Sequence, residues 1–409
     1  MDTRLLPKIL LFVVISQCIQ AQVLREKTYV QTNQSTYLVT DTLRFSAFLW
    51  ANNDSISSQL LYVELLSPIN TLLQEQMLSI DKGIASSYFI LNDTLKTGQY
   101  HIRAYTNWQR NWGDSSIYST PFFIVPNTHT IVARAKATTL KSFQFFPEGG
   151  HLVENLPSVL AFKAVDSLGQ GVVVSGDIVA DNGIIAAHLQ TDKRGIGACR
   201  FVPLPNQHYQ ARIITANDTT KFSVPTIAQV GYVLQINHLK SDSLSVKIFV
   251  KQSSNASQRL TLVGQAGGQV LFAATDSSGY QSLSLKFATD KFPTGLVHFS
   301  LFDGQNKLQC QRTVFVNHHD QPKIAIDFKD DSLTIITNGS NHQPVQSHFS
   351  VSTQSYSFDS LSENIETRFL LTSAFDELID QPQQYFQNKA NEVQRLDELI
   401  LSLPPSNEL

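Results

Sequence analysis

The chain has 409 residues, a formal net charge of −3 and a sequence pI of about 6.4. Charged residues are only 16%, against 42% hydrophobic and 10% aromatic, which provides core material and excludes a globally disordered chain. No positive excess exists to engage phosphates, so no nucleic-acid partner is expected, and the length suits about three or four domains.

Residues 1–21 read as a signal peptide. Arg4 and Lys8 form a basic start, Ile9 to Ile15 an apolar stretch, and Ala21 a small residue for cleavage before Gln22. The apolar stretch is too short to span a bilayer, and no transmembrane segment is expected in the mature chain. Cys18 raises the alternative of lipid attachment, but Gln17 stands where a small residue is needed. Cleavage leaves Cys199 and Cys310, far apart in sequence, so no disulfide framework is expected and both read as small buried hydrophobes.

The mature chain reads as all-β. Short alternating runs such as Leu61–Leu66, Tyr88–Leu91, Gln99–Tyr105 and Pro121–Pro126 are separated by Asn, Asp, Gly and Ser, the signature of a sandwich. A first β-sandwich is placed at 22–126, then a polar linker at 127–140. A second sandwich is placed at 141–226, with Val159–Val165, Val172–Val174, Ile184–Leu189 and Tyr209–Ile214 as strands. Turns are expected at Asp166–Gly169 and Asp181–Gly183, where Asn and Gly tolerate positive φ. A third sandwich at 227–318 contains Leu244–Val250, Leu260–Val263, Val297–Phe302 and Cys310–Val316. An incomplete fourth β unit at 322–360 is read from Lys323–Phe328, Leu333–Thr337 and His348–Ser352. In the tail, 361–409, the period changes: Phe386, Ala390, Val393, Leu396, Ile400 and Leu403 lie on one helical face, ended by Pro404-Pro405. That helix is expected to pack on the last β unit, or else to dock a partner.

No catalytic constellation stands out. Gly264-Gln265-Ala266-Gly267-Gly268 is followed by a strand rather than a helix, so it reads as a turn. His318-His319-Asp320 places adjacent side chains on opposite faces of an extended chain, which does not suit one ion. No catalytic residue, metal site or cofactor is expected.

Three motifs in order resemble a known family. Tyr29-Val30-Gln31-Thr32-Asn33, followed by Tyr37 to Phe48, is similar to the opening of macroglobulin MG2 domains, with Thr40 where the pattern has Gly and Asn33 where it has Asp. Gly98 to Trp108, ending Arg-Ala-Tyr-Thr-Asn-Trp, and Phe145-Phe146-Pro147-Glu148-Gly149-Gly150 resemble Bacteroidota alpha-2-macroglobulin-like envelope proteins. The stretch from Arg368 to Ser373 and on to Phe386 is similar to theirs as well. The resemblance implies tandem immunoglobulin-like, macroglobulin-type β-sandwiches with a short C-terminal amphipathic helix. It implies a non-catalytic exported protein in the periplasm or at the outer-membrane surface. There it would scaffold or dock to an outer-membrane assembly, with TonB-dependent transport one such setting. Larger relatives continue into a carboxypeptidase-regulatory-like or TonB-receptor plug-like domain; this sequence ends at Leu409. The thioester loop Cys-Gly-Glu-Gln of protease-trapping macroglobulins is absent. A thioester-free endopeptidase inhibitor, with Arg134, Lys136 and Lys141 in or near a cleavable linker, and a glycan-binding module are the alternatives.

Loops on a rigid frame are where partners bind, and Trp, Tyr and Arg dominate contact hot spots. Arg103, Tyr105, Trp108, Arg110 and Trp112 are therefore the candidate contacts for an outer-membrane or periplasmic protein partner. Tyr105 and Trp108 could instead fill the first core or its seam with the second, and Trp112 is the one expected to be exposed. Asp-Ser/Thr triplets mark Thr42, Ser55, Thr94, Ser167, Thr219, Ser243, Ser332 and Ser360. They resemble Bacteroidota O-glycosylation signals and equally suit turn chemistry at strand starts.

Overall fold

The computed structural model describes residues 25–51, 56–126, 139–215, 219–240, 242–252, 259–352, 362–387 and 391–404. The expected signal peptide with Cys18, most of the expected linker, Ser55 and Ser360 lie outside the described residues. Among the described residues the chain is a series of β-sandwiches with two short α-helices near its end.

The first sandwich is built from β1 (Glu26–Thr32), β2 (Thr36–Tyr37), β3 (Thr42–Ala51), β4 (Leu60–Leu66), β5 (Leu72–Ser79), β6 (Ile84–Ile90), β7 (Gly98–Tyr105) and β8 (Tyr118–Ile124). One sheet has the order β1-β3-β6 and the other β2-β8-β7-β4-β5. Pairing is antiparallel except for β2 with β8. The period of two explains the packing: Leu43, Phe45, Ala47 and Leu49 of β3 point inward, while the residues between them do not. Phe45 stacks on Phe89, and Tyr37 meets Phe122 edge-on.

The second sandwich contains β9 (Ser142–Pro147), β10 (Leu152–Val153), β11 (Ser158–Val165), β12 (Ser175–Ala180), β13 (Ile185–Gln190), β14 (Ile196–Phe201), β15 (Tyr209–Ile214), β16 (Thr219–Ser223) and β17 (Ile227–Ala228). Its sheets are β14-β11-β9 and β13-β12-β15-β16, with a short parallel bridge of β10 to β17. The expected turns form, with Gly169 and Gly183 at positive φ, while Asp166 and Asn182 act through their side chains. Asp166 Oδ1 accepts from the backbone N–H of Leu168 and Gln170, and Asn182 Oδ1 accepts from Ile184 N–H.

The third sandwich holds β18 (Gly231–Lys240), β19 (Ser243–Lys251), β20 (Leu260–Ala266), β21 (Gln269–Asp276), β22 (Ser282–Ala288), β23 (Gly295–Phe302) and β24 (Leu308–Val316). Its sheets are β18-β19-β22 and β21-β20-β23-β24. Gly267 and Gly268 form the β20–β21 turn at positive φ, as expected from the strand that follows them. Cys310 is buried in this core and Cys199 is half-buried in the second, both as free thiols. Burial pushes each thiol up to about 12, which leaves it an unreactive thiol at neutral pH.

The fourth unit departs from expectation. Among the described residues only β25 (Lys323–Lys329) and β26 (Ser332–Asn338) form strands there, with a single bridge from Asn338 to Pro344 beside them. The stretch from His348 to Ser352 is not a strand. It runs instead to the first sandwich, where Ser350 Oγ donates to Gln31 Oε1 and Gln31 Nε2 donates to Ser352 Oγ.

The tail also differs. The expected short C-terminal amphipathic helix forms at Glu392–Leu401 (α2), but it begins later than the face read from Phe386: Pro382–Tyr385 is a tight turn, and a further short helix, α1, lies at Ile365–Leu370. Asn364 caps α1 in a reciprocal box with Thr367. Leu396 and Ile400 of the expected face are buried, with Leu399 beside them, but Val393 is 52% exposed. Among the described residues, the tail does not pack on the hairpin. Its apolar residues join Ile196 of the second sandwich and Leu296 and Phe315 of the third in one cluster. At its start it also grips the first sandwich: Lys27 Nζ donates to Phe369 O, Arg368 Nε to Thr28 O, and Phe369 stacks on Trp50.

Candidate functional site

The strand pair β4–β7 sets out the candidate contact residues. Its inward positions, Leu61, Val63 and Leu65 against Ile102 and Ala104, fill the first core. The alternate positions face outward, pairing Tyr62 with Tyr105 and Glu64 with Arg103. Arg103 Nε donates to Glu64 Oε2 at 2.6 Å, and the Tyr105 hydroxyl donates to Glu64 Oε1 at 2.7 Å. Tyr105 lies parallel to Tyr62 with ring centres 5.6 Å apart. Burial and the neighbouring Glu64 carboxylate push the Tyr105 phenol up to about 12. Tyr105 thus sits on the outer face of the sheet and not in the core.

Beyond Tyr105 the chain makes two tight turns, Gln109–Trp112 and Asp114–Ser116. They are held by Gln109, which is fully buried. Its Oε1 accepts from Thr28 Oγ1 and Thr106 N–H, and its Nε2 donates to the carbonyls of Glu26 and Ser116. Buried Glu26 continues the network: its carboxylate accepts from Ser57 N–H, Ser58 N–H and the hydroxyls of Ser58 and Thr106. Neither residue stands out in the sequence, because a buried Gln and Glu carry no local pattern.

This anchoring fixes what the loop presents. Trp108 is 40% exposed and Arg110 is exposed. Trp112 is half-buried, with the Arg25 guanidinium 4.1 Å from its ring centre. The expected exposures of the two tryptophans are therefore reversed: the inward pull of Gln109 leaves the preceding residue outside, while Arg25 from β1's entry covers Trp112.

Of the Asp-Ser/Thr positions, Thr42, Thr219, Ser243 and Ser332 are the first residues of β3, β16, β19 and β26. Thr94 and Ser167 are exposed in turns, and Thr94 Oγ1 donates to Asn92 Oδ1. Thr42 and Ser243 are half-buried, whereas Thr219 and Ser332 are exposed.

A second locus lies where the second and third sandwiches meet the tail; the sequence carries the Phe145–Gly150 motif there, with nothing that marks it as a site. Gly149, in the Phe-Phe-Pro-Glu-Gly-Gly motif, has φ +78, and a Cβ there would lie 3.1 Å from the Leu234 carbonyl oxygen. Only glycine lets this turn close on β18. It aims Glu148 across the junction, where Oε1 accepts from Ile236 N–H at 3.0 Å and from Arg312 Nε at 2.9 Å. Arg312 Nη2 donates to Asp397 Oδ1 of α2 at 2.5 Å. Burial pulls the Arg312 guanidinium down, but Asp397 and Glu148 outweigh it and hold the pKa above its usual value.

Beside this triad is a cavity of about 710 Å³. Strands β18 and β19 send Leu234, Ile236, Leu244, Val246 and Ile248 into the third core. By alternation, Gln235, Asn237, Ser245, Lys247 and Phe249 form the cavity's first wall. Pro157–Val159 and Arg200–Val202 form the second, and Val393, Leu396 and Asp397 of α2 close it.

No family model and no curated protein matches the chain. Among solved structures, the fold is similar to Salmonella alpha-2-macroglobulin reacted with methylamine, at 11% identity over 76% of this chain and 25% of that one, TM-score 0.22. It is similar to Escherichia coli alpha-2-macroglobulin activated by porcine elastase, at 11% identity over 77% of this chain and 33% of that one, TM-score 0.25. The Escherichia coli adhesin FdeC is similar at 11% identity over 71% of this chain and 96% of that one, TM-score 0.18. The chain matches about a quarter to a third of the length of these macroglobulins.

Proposed function

We propose that the chain is a non-catalytic, exported envelope protein of macroglobulin-like sandwiches that docks a protein partner of the outer membrane or periplasm, in a TonB-dependent or other outer-membrane assembly. The observation that carries this reading is the loop after β7. Gln109 and Glu26 fix it from inside, and it holds Trp108 and Arg110 toward solvent. Residues with little freedom left to lose on binding make effective contacts. Arg103 and Tyr105, tied to Glu64, extend the same face with a pre-ordered cation and phenol. The motif resemblance supports the setting, and no helix among the described residues is long and apolar enough to cross a membrane.

The test is affinity capture from outer-membrane and periplasmic fractions, comparing the native protein with Trp108→Ala/Arg110→Ala. An envelope protein enriched by the native chain and lost from the variant, with both equally folded, supports the reading. Equal recovery on both removes this loop as the contact. Retention of a protease after cleavage of the 127–140 segment would instead favour the inhibitor alternative.

A further inference from the structure

We propose that the cavity between the second sandwich, the third sandwich and α2 binds an amphipathic carboxylate, an acid group on an apolar body. Its volume of about 710 Å³ lies within the range of small-molecule sites. The body has apolar walls to meet: Val159 and Val202 on one side, Phe249 on the other, Val393 and Leu396 above.

Two cations of the lining are placed to hold the acid. Arg200 and Lys247 reach the cavity from different sandwiches, both are exposed, and neither makes an ion pair among the described residues. Two of the cavity's carboxylates, Glu148 and Asp397, are both turned to Arg312, whose single positive charge offsets one of them. The third, Glu392, lies near Glu366, a carboxyl whose pKa burial raises and Glu392 raises further. His319 adds a further basic group at the wall. The inference does not depend on the docking loop, which lies on the first sandwich.

The experiment is calorimetric titration of the full chain with decanoate, with 1-decanol as the uncharged control and N-acetyl-leucyl-phenylalanine, free acid and amide, as a second source of carboxylate. Saturable binding of an acid is expected, weakened about tenfold or more in Arg200→Gln/Lys247→Gln, with decanol affected little. Val393→Trp, which fills the cavity from the exposed side of α2, abolishes it. Far-UV circular dichroism confirms that these surface variants fold. Tighter binding of decanoate identifies a lipid-derived acid, and tighter binding of the dipeptide acid a peptide end; both support the site. The proposal is overturned if no acid saturates, if acids and their neutral counterparts bind alike, or if either variant binds as the native chain does.

Discussion

Thr40 occupies a backbone position made for glycine. It has φ +77 between Tyr37 and β3, where the resembling MG2 pattern carries Gly. A β-branched residue there is strained, at a cost of about 1–2 kcal/mol. The turn is held regardless, by Thr40 N–H to Leu91 O and Leu38 N–H to Asp41 Oδ2. Thr40→Gly is expected to raise the melting temperature of the first sandwich by several degrees in a thermal scan. Gln109 shows the opposite case. Gln109→Ala strands the groups it satisfies, and the expected loss is about 1–3 kcal/mol, read by denaturant unfolding. His101 gives a pH dependence. Burial lowers its pKa below the usual 6.5, and its Nδ1 has no partner. The unfolded state therefore binds the proton more readily. The neutral form's contribution is complete above about pH 6.5 and is lost as pH falls toward the lowered folded pKa. His101→Gln should flatten stability between pH 7 and 5; an unchanged slope would remove His101 as its source.

At the scale of elements, the junction and the hairpin behave oppositely. Arg312 is buried between Glu148 of the second sandwich and Asp397 of α2. Removing a partner from such a group leaves buried charge uncompensated, at about 3–5 kcal/mol. Arg312→Met should therefore lower the unfolding midpoint sharply, whereas Arg312→Met with Glu148→Gln and Asp397→Asn should recover part of the loss. Among the described residues, no ion pair anchors the β25–β26 hairpin in this way. Ile324, Ile326 and Phe328 are 61%, 67% and 70% exposed, and a two-stranded hairpin alone is only marginally stable. Exposed apolar strand edges favour self-association. Ile326→Lys/Phe328→Lys is expected to reduce aggregation at high concentration in light scattering without moving the main melting transition.

At the scale of the molecule, the tail ties the sandwiches to one another. Phe369 and Arg368 hold the first. Arg194 of the second lies over Tyr385, Lys163 pairs with Glu377, and Phe315 of the third meets Phe386. Each sandwich has its own core, so loss of the tail should separate modules rather than unfold them. Ile400→Asp, which places a charge in the shared cluster, is expected to increase the radius of gyration in small-angle scattering and expose the tail to protease. Sheet content should remain.

The sandwiches themselves were legible because a strand's face follows from the parity of its residues. The alternation of Leu43 to Leu49, the runs at Leu61–Leu66 and Leu244–Val250, and the turns at Asp166 and Asn182 all depend on near neighbours in the chain. Burial of Gln109 and Glu26, cover of Trp112 by Arg25, the Glu148–Arg312–Asp397 triad and the cavity beside it were decided only in three dimensions. Each joins residues far apart in sequence whose own surroundings look ordinary. The hairpin shows the same division: its pairing was written into alternating Ile and Phe, but that no further described strand extends it depended on where His348–Ser352 found a partner, and that partner was Gln31 at the opposite end of the chain.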